Sequence, residues 1–147
     1  MQLPFRNVSA ELEREAAFST LQNMKLKIDL VKSLLAAIEE FPDYPEPIIS
    51  DDIAINGIDS VTIVYHLSLM LEAGLIRGKE HASRGGRYVL IERLTWEGHA
   101  FLANAQNKTV WERLLSVSRS VGGFSLEVAK NTLAGIAQQT AVQAAGM

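Results

Sequence analysis

The chain has 147 residues, 48% apolar and 21% charged, the balance of a folded soluble domain and not of a disordered one. Its net charge of −3 supplies no global positive field, so binding to nucleic acid would need a local basic patch. It has no cysteine, which excludes disulfides, Cys-ligated zinc and thiol nucleophiles, and no apolar run approaches the ~20 residues that span a bilayer.

Ser9 to Gln22 reads as a helix capped by Ser9, with Glu11 and Glu13 in its first turn, but its apolar stripe of Leu12, Ala16, Ala17 and Leu21 is thin. With three Glu and no long apolar stretch, Met1 to Met24 does not read as a signal peptide, and the expected location is cytoplasmic. At Met24 the pattern changes. The segment before it is either an appendage or a first helix docked on the domain.

Lys25 to Phe41 is the strongest element: Ile28, Val31, Leu34, Leu35, Ile38 and Phe41 recur at spacings of three and four, and Pro42 stops the helix. Asp43 to Pro47 is expected to be an extended connector, and the alternation from Asp52 to Gly57 suggests a short strand. Asp59 or Ser60 caps a second strong helix that runs to about Ala73 and closes at Gly74. Leu75 to Lys79 and Arg87 to Leu94 are two extended runs, joined by a Glu80 to Gly86 loop whose paired glycines supply the positive φ of a hairpin tip.

Thr95 caps a helix to about Asn104, and a further helix covers Thr109 to Ser120. Gly122-Gly123 breaks it, and Ser125 opens a last helix to about Gln139, with a frayed end beyond. Trp96, Trp111 and Phe124 are expected to fill the seam between hairpin and C-terminal helices. Val110, Leu114, Val121, Leu126, Val128, Leu133 and Ile136 provide apolar surface for either intramolecular packing or a homodimer.

Helix, short strand, helix and a glycine- and arginine-tipped hairpin follow the plan of a winged helix-turn-helix. The expected fold is therefore α+β and mostly α: an N-terminal helical extension (1–23), a winged-helix core with a two-stranded wing (24–95), and a C-terminal helical extension packed on it (96–147). The run from Tyr65-His66-Leu67 to Ala73-Gly74-Leu75-Ile76 resembles the recognition-helix ending of small bacterial regulators of the ArsR type. The phrases Leu94-Thr95-Trp96-Glu97-Gly98-His99, Asp29-Leu30-Val31, Thr109-Val110-Trp111 and Gly122-Gly123-Phe124-Ser125-Leu126 resemble the phage- and prophage-associated family of domain of unknown function 2513. That likeness covers roughly Met24 to Ala137. It implies a winged helix and a mobile-element origin, and no activity.

Two functions compete. Between Arg77 and Arg93 five bases stand against two acids, so Arg77, Lys79, Arg84 and Arg87 are candidate contacts to double-stranded DNA, with routine edge-guarding charge as the alternative. On the second helix Ser60, Thr62, Tyr65 and His66 are the candidates to face a groove, although Asp59 to Ala73 contains no Arg, Lys, Asn or Gln, the usual readers of base edges. DNA binding in a regulatory or accessory role is the first expectation, and interaction with a host protein, through a face such as that around Tyr65, is the second. His66, His81 and His99 have no ligand-like spacing, and no P-loop, dinucleotide fingerprint or nucleophile elbow is present. No enzyme, metal or cofactor is expected, and His66 alternatively reads as a partly buried residue bonded to a carbonyl.

Overall fold

A computed structural model describes residues 25–42 and 46–146, so the helix expected over Ser9 to Gln22 lies outside the described residues. The described elements are, in order, α1 (Ile28–Glu40), β1 (Ile48–Ile49), a 3-10 turn (Ser50–Asp52), α2 (Ser60–Glu72), β2 (Ile76–Ser83), β3 (Gly86–Leu94), α3 (Trp96–Ala105), α4 (Lys108–Val121) and α5 (Leu126–Ala144). The fold is α+β and mostly helical, with an antiparallel sheet in the order β1-β3-β2.

Local chemistry sets most of the boundaries. Asp59, Thr95, Asn107 and Ser125 each accept a backbone N–H from three residues ahead, at 2.8, 3.0, 3.1 and 3.2 Å, and so cap α2, α3, α4 and α5. Gly74, at φ 75°, turns the chain out of α2 into the strand that follows. The hairpin is longer than its sequence suggests. Glu80 to Ser83 extend β2 and do not form a loop, the two-residue turn is Arg84-Gly85, and of the paired glycines Gly86 takes positive φ, at 113°.

Three further expectations are corrected. The strand lies at Ile48–Ile49, not Asp52 to Gly57, because Ser50 turns the chain inward and its hydroxyl accepts the Val89 N–H at 3.0 Å. The last helix runs past Gln139 to Ala144. Trp96 fills no seam: it is 87% exposed, whereas Trp111 is buried and gives its indole N–H to Asp29 Oδ1 at 3.1 Å. The reason is periodicity, since the inward stripe of α3 is Gly98, Phe101, Leu102 and Ala105, and Trp96 lies off it.

A single buried cluster runs from Leu34 and Leu35 of α1, through Leu67 and Met70 of α2 and Val89 and Ile91 of β3, to Leu102, Leu114 and Leu133 of α3, α4 and α5. Of the seven C-terminal residues with surface for a dimer, Val110, Leu114, Leu126, Leu133 and Ile136 are buried in this cluster or against it, and Val121 and Val128 are exposed. Lys130 of α5 locks the C-terminal helices to α2 and α3. Its ammonium donates to the Ala73 carbonyl and Glu97 Oε2, both at 2.9 Å, and pairs with Glu127 at 3.2 Å. The hydrogen bond it donates to Glu97 is the main cause of its raised pKa. No helix among the described residues is long and apolar enough to cross a membrane.

Candidate functional site: the groove between the second helix and the hairpin

Helix α2 carries two apolar stripes side by side. Ile63, Leu67 and Met70 enter the core together with Thr62 and His66. Val61, Val64, Tyr65 and Ser68 recur at the same helical spacing, one row over; Val61 is exposed and the other three are half-buried. Val61 is 63% exposed, a large fraction for a valine on a structured helix. These four line a groove of about 400 Å³, together with Ser60, Asp51, Glu80, Gly86 and Arg87.

The hairpin closes the far wall. Ser68 Oγ donates to Glu80 Oε1 at 2.6 Å, and Arg87 donates to Glu80 Oε2 at 3.3 Å. Glu80 thus holds one helix hydroxyl and one hairpin guanidinium at once. The pair is solvent-exposed, so it orients the wall more than it stabilises the fold. Within the groove, Asp51 and Glu80 set two carboxylates against the single guanidinium of Arg87, which is already engaged.

The candidate residues separate into different places. Ser60 and Tyr65 lie on the groove. Thr62 is 8% exposed, and His66 is fully buried, so neither is presented to a groove as the sequence suggested. His66 is instead an internal strut: Nδ1 meets the Thr62 carbonyl at 2.9 Å and Nε2 accepts the Lys27 N–H at 2.9 Å. These partners place the proton on Nδ1 and the lone pair on Nε2. Burial lowers its pKa most, the Thr62 carbonyl opposes that, and the charge of Lys27 adds to the lowering.

Among the basic candidates, Arg87 faces the groove wall and Arg84 sits exposed in the turn. Arg77 and Lys79 belong to the opposite face. The register pairs Arg77 with Arg93, Lys79 with Leu90 and His81 with Tyr88, while Gly78 pairs with core residue Ile91 and Glu80 with core residue Val89. The hairpin charge is therefore split between two faces and does not form one basic patch beside α2. Sequence reasoning missed Val61, Asp51 and Glu80 as site residues. The signal for Val61 was present, as the start of a second stripe at 61, 64, 65 and 68. Among the described residues no group of three or more His, Asp or Glu is placed to hold a metal ion.

Residues 25–125 match the family model described as "Hypothetical protein (DUF2513)". A protein of Haemophilus influenzae, described as an uncharacterized protein, is 31% identical over 115 residues, covering 78% of this chain and 93% of its own length. No solved structure matches the chain. The match to most of the described residues and the likeness to a relative along nearly all of its length agree: the chain belongs to the DUF2513 family of hypothetical proteins.

Proposed function

We propose that the chain is a winged-helix interaction module of phage or prophage origin, acting in the cytoplasm by holding a segment of a partner protein, without catalysis. In this reading α2 takes the place of a recognition helix and the β2–β3 hairpin that of the wing. The observation that supports a protein partner is the stripe of exposed Val61 and half-buried Val64 and Tyr65 lining a groove whose charged rim is Asp51, Glu80 and the engaged Arg87.

A phosphate backbone entering this groove would meet two carboxylates and one neutralised cation, which works against binding. Base edges are read chiefly by Arg, Lys, Asn and Gln, and α2 offers the groove Ser60, Val61, Val64, Tyr65 and Ser68 instead. The same residues suit an apolar side chain that seats beside Tyr65, followed by a Lys or Arg that reaches Asp51 or Glu80. Double-stranded DNA bound through the hairpin is the second reading. What favours it is Arg84, exposed at the turn with no carboxylate partner among the described residues.

Selection from a random peptide library against the purified chain tests the proposal. Enriched peptides are expected to place an aliphatic or aromatic residue next to Lys or Arg, and to lose at least about tenfold in affinity for a Val61→Asp chain. Peptides that bind Val61→Asp as well as the wild type would place the interface elsewhere. Duplex DNA that competes with them, and that Val61→Asp also releases, would return the groove to the DNA reading.

A further inference from the structure

The outward face of the hairpin, turned away from both the core and the α2 groove, has a chemistry of its own. Cross-strand partners share a face, so Arg77, Lys79 and His81 of β2 lie with Arg93, Leu90 and Tyr88 of β3. Ile49 joins them through its pairing with Leu90 and is 38% exposed. Arg77, Lys79 and Arg93 are all exposed. No carboxylate among the described residues forms an ion pair with any of the three, although Arg93 donates to the Leu94 carbonyl at 3.0 Å. Glu92 bulges between paired positions where the register shifts, and Glu39 and Glu46 line a pocket with Glu92 and Arg93.

Like charges directly opposite each other in an antiparallel pair are destabilising, and Arg77 stands directly opposite Arg93. Guarding a sheet edge against aggregation would account for Arg77 and Lys79, because β2 is an edge strand. Arg93 lies on β3 beyond its short pairing with β1 at Leu90 and Ile91, so its strand is open on that side too. Edge guarding does not require one arginine to stand opposite another, and that juxtaposition, with neither guanidinium ion-paired to a described carboxylate, fits a polyanionic ligand.

Next to the cations, towards the turn, the rings of His81 and Tyr88 stack with centroids 5.1 Å apart and planes 14° from parallel. His81 Nε2 is shielded from solvent and has no hydrogen-bond partner, so it is the face of the imidazole, stacked on Tyr88, that holds this ring in place. A row of cations leading to a flat aromatic stack, with Leu90 and Ile49 beside it, is the combination that binds a sugar-phosphate chain and an unpaired base together.

We propose that this face binds single-stranded nucleic acid, with Arg77, Lys79 and Arg93 on successive phosphates and the His81–Tyr88 stack under a base. A duplex hides its bases in its own stack, so the rings would add nothing to duplex binding. The face lies across the sheet from the α2 groove, and the inference does not depend on what that groove holds.

Fluorescence anisotropy of a labelled oligothymidylate, titrated with the full chain across a range of salt, tests it. Binding is expected at low salt and should weaken steeply as salt rises. Arg77→Ala with Arg93→Ala should weaken it at least about tenfold, and this double change removes a repulsion and so leaves folding intact. Tyr88→Ala should weaken it by about 5- to 100-fold, and Tyr88→Phe should retain it. No binding at low salt would overturn the proposal. So would equal affinity for a duplex of the same length, or for heparin with no effect of Tyr88→Ala, since either would mean a polyanion patch that ignores bases.

Discussion

The imidazole of His66 accepts the backbone N–H of Lys27 at 2.9 Å and so ties the middle of α2 to the N-cap residue of α1. The contact spans 39 residues of chain and needs the neutral ring. A protonated ring would turn Nε2 into a donor facing another donor, in a site from which solvent is excluded.

This sets the direction of acid sensitivity. The folded pKa of His66 lies below its ordinary value of 6.5, so the unfolded chain takes up the proton more readily. The stabilisation is complete above about pH 6.5 and is lost as the pH falls through the lower, folded pKa. Urea denaturation at pH 7.5 and 5 should show that loss in the wild type. His66→Leu should be less stable at pH 7.5 by about 1–3 kcal/mol, because the Lys27 N–H loses its acceptor, and should show a smaller difference between the two pH values. An unchanged difference would mean that other groups govern the acid response.

The two tryptophans should behave oppositely. Trp111→Phe removes the bond to Asp29 and weakens the contact with the overlying Lys32 ammonium, 5.0 Å from the ring centroid, and should cost about 1–2 kcal/mol. Trp96→Ala should stay within about 0.5 kcal/mol of wild type, since its side chain meets mainly solvent. Urea midpoints at constant m-value report both. Equal losses would mean that Trp96 is covered.

Close approach at Gly98 gives a third test. A Cβ there would lie 2.0 Å from the Leu75 carbonyl oxygen, a backbone atom that cannot swing aside. Gly98→Ala should therefore cost more than about 2 kcal/mol in the same denaturation experiment, despite alanine's better helix propensity. A neutral or stabilising result would mean that α3 can shift along β2 at little cost.

Thr95→Ala should cost about 1–2 kcal/mol, towards the upper end of the range for a helix cap. Its hydroxyl both accepts the Gly98 N–H and donates to the Gly74 carbonyl, so one side chain starts α3 and anchors the end of α2. Thr95→Ser keeps both bonds and should recover most of the loss. Failure of serine to do so would assign the effect to the methyl group.

Which features could be read from sequence follows from how local their causes are. The α1 stripe, the caps at Asp59, Thr95 and Ser125 and the turn at Gly74 depend on residues within a few positions of one another, and the sequence carries them. The strand at Ile48–Ile49 was misplaced because its partner, Ile91, is far along the chain, and because Ser50 reaches Val89 across the same gap. Tryptophan composition suggested a core role for Trp96, but its helical phase decides otherwise. The site was only half legible for a similar reason. The bases of the hairpin could be counted, but their division between two faces depends on the bulge at Arg77/Gly78 and on pairing register. The wall formed by Ser68, Glu80 and Arg87 brings together residues from a helix and both hairpin strands, and no sequence spacing announces it.

The most direct test of the central claim is a chemical-shift titration of the ¹⁵N-labelled chain with a peptide enriched by selection. Amides of Val61, Val64, Tyr65, Ser68, Glu80 and Arg87 should move together and saturate with one affinity, while those of Arg77, Lys79 and Arg93 stay in place. Shifts confined to the outward face of the hairpin, or spread over α4 and α5 with the α2 row unmoved, would contradict the groove as the protein-binding site.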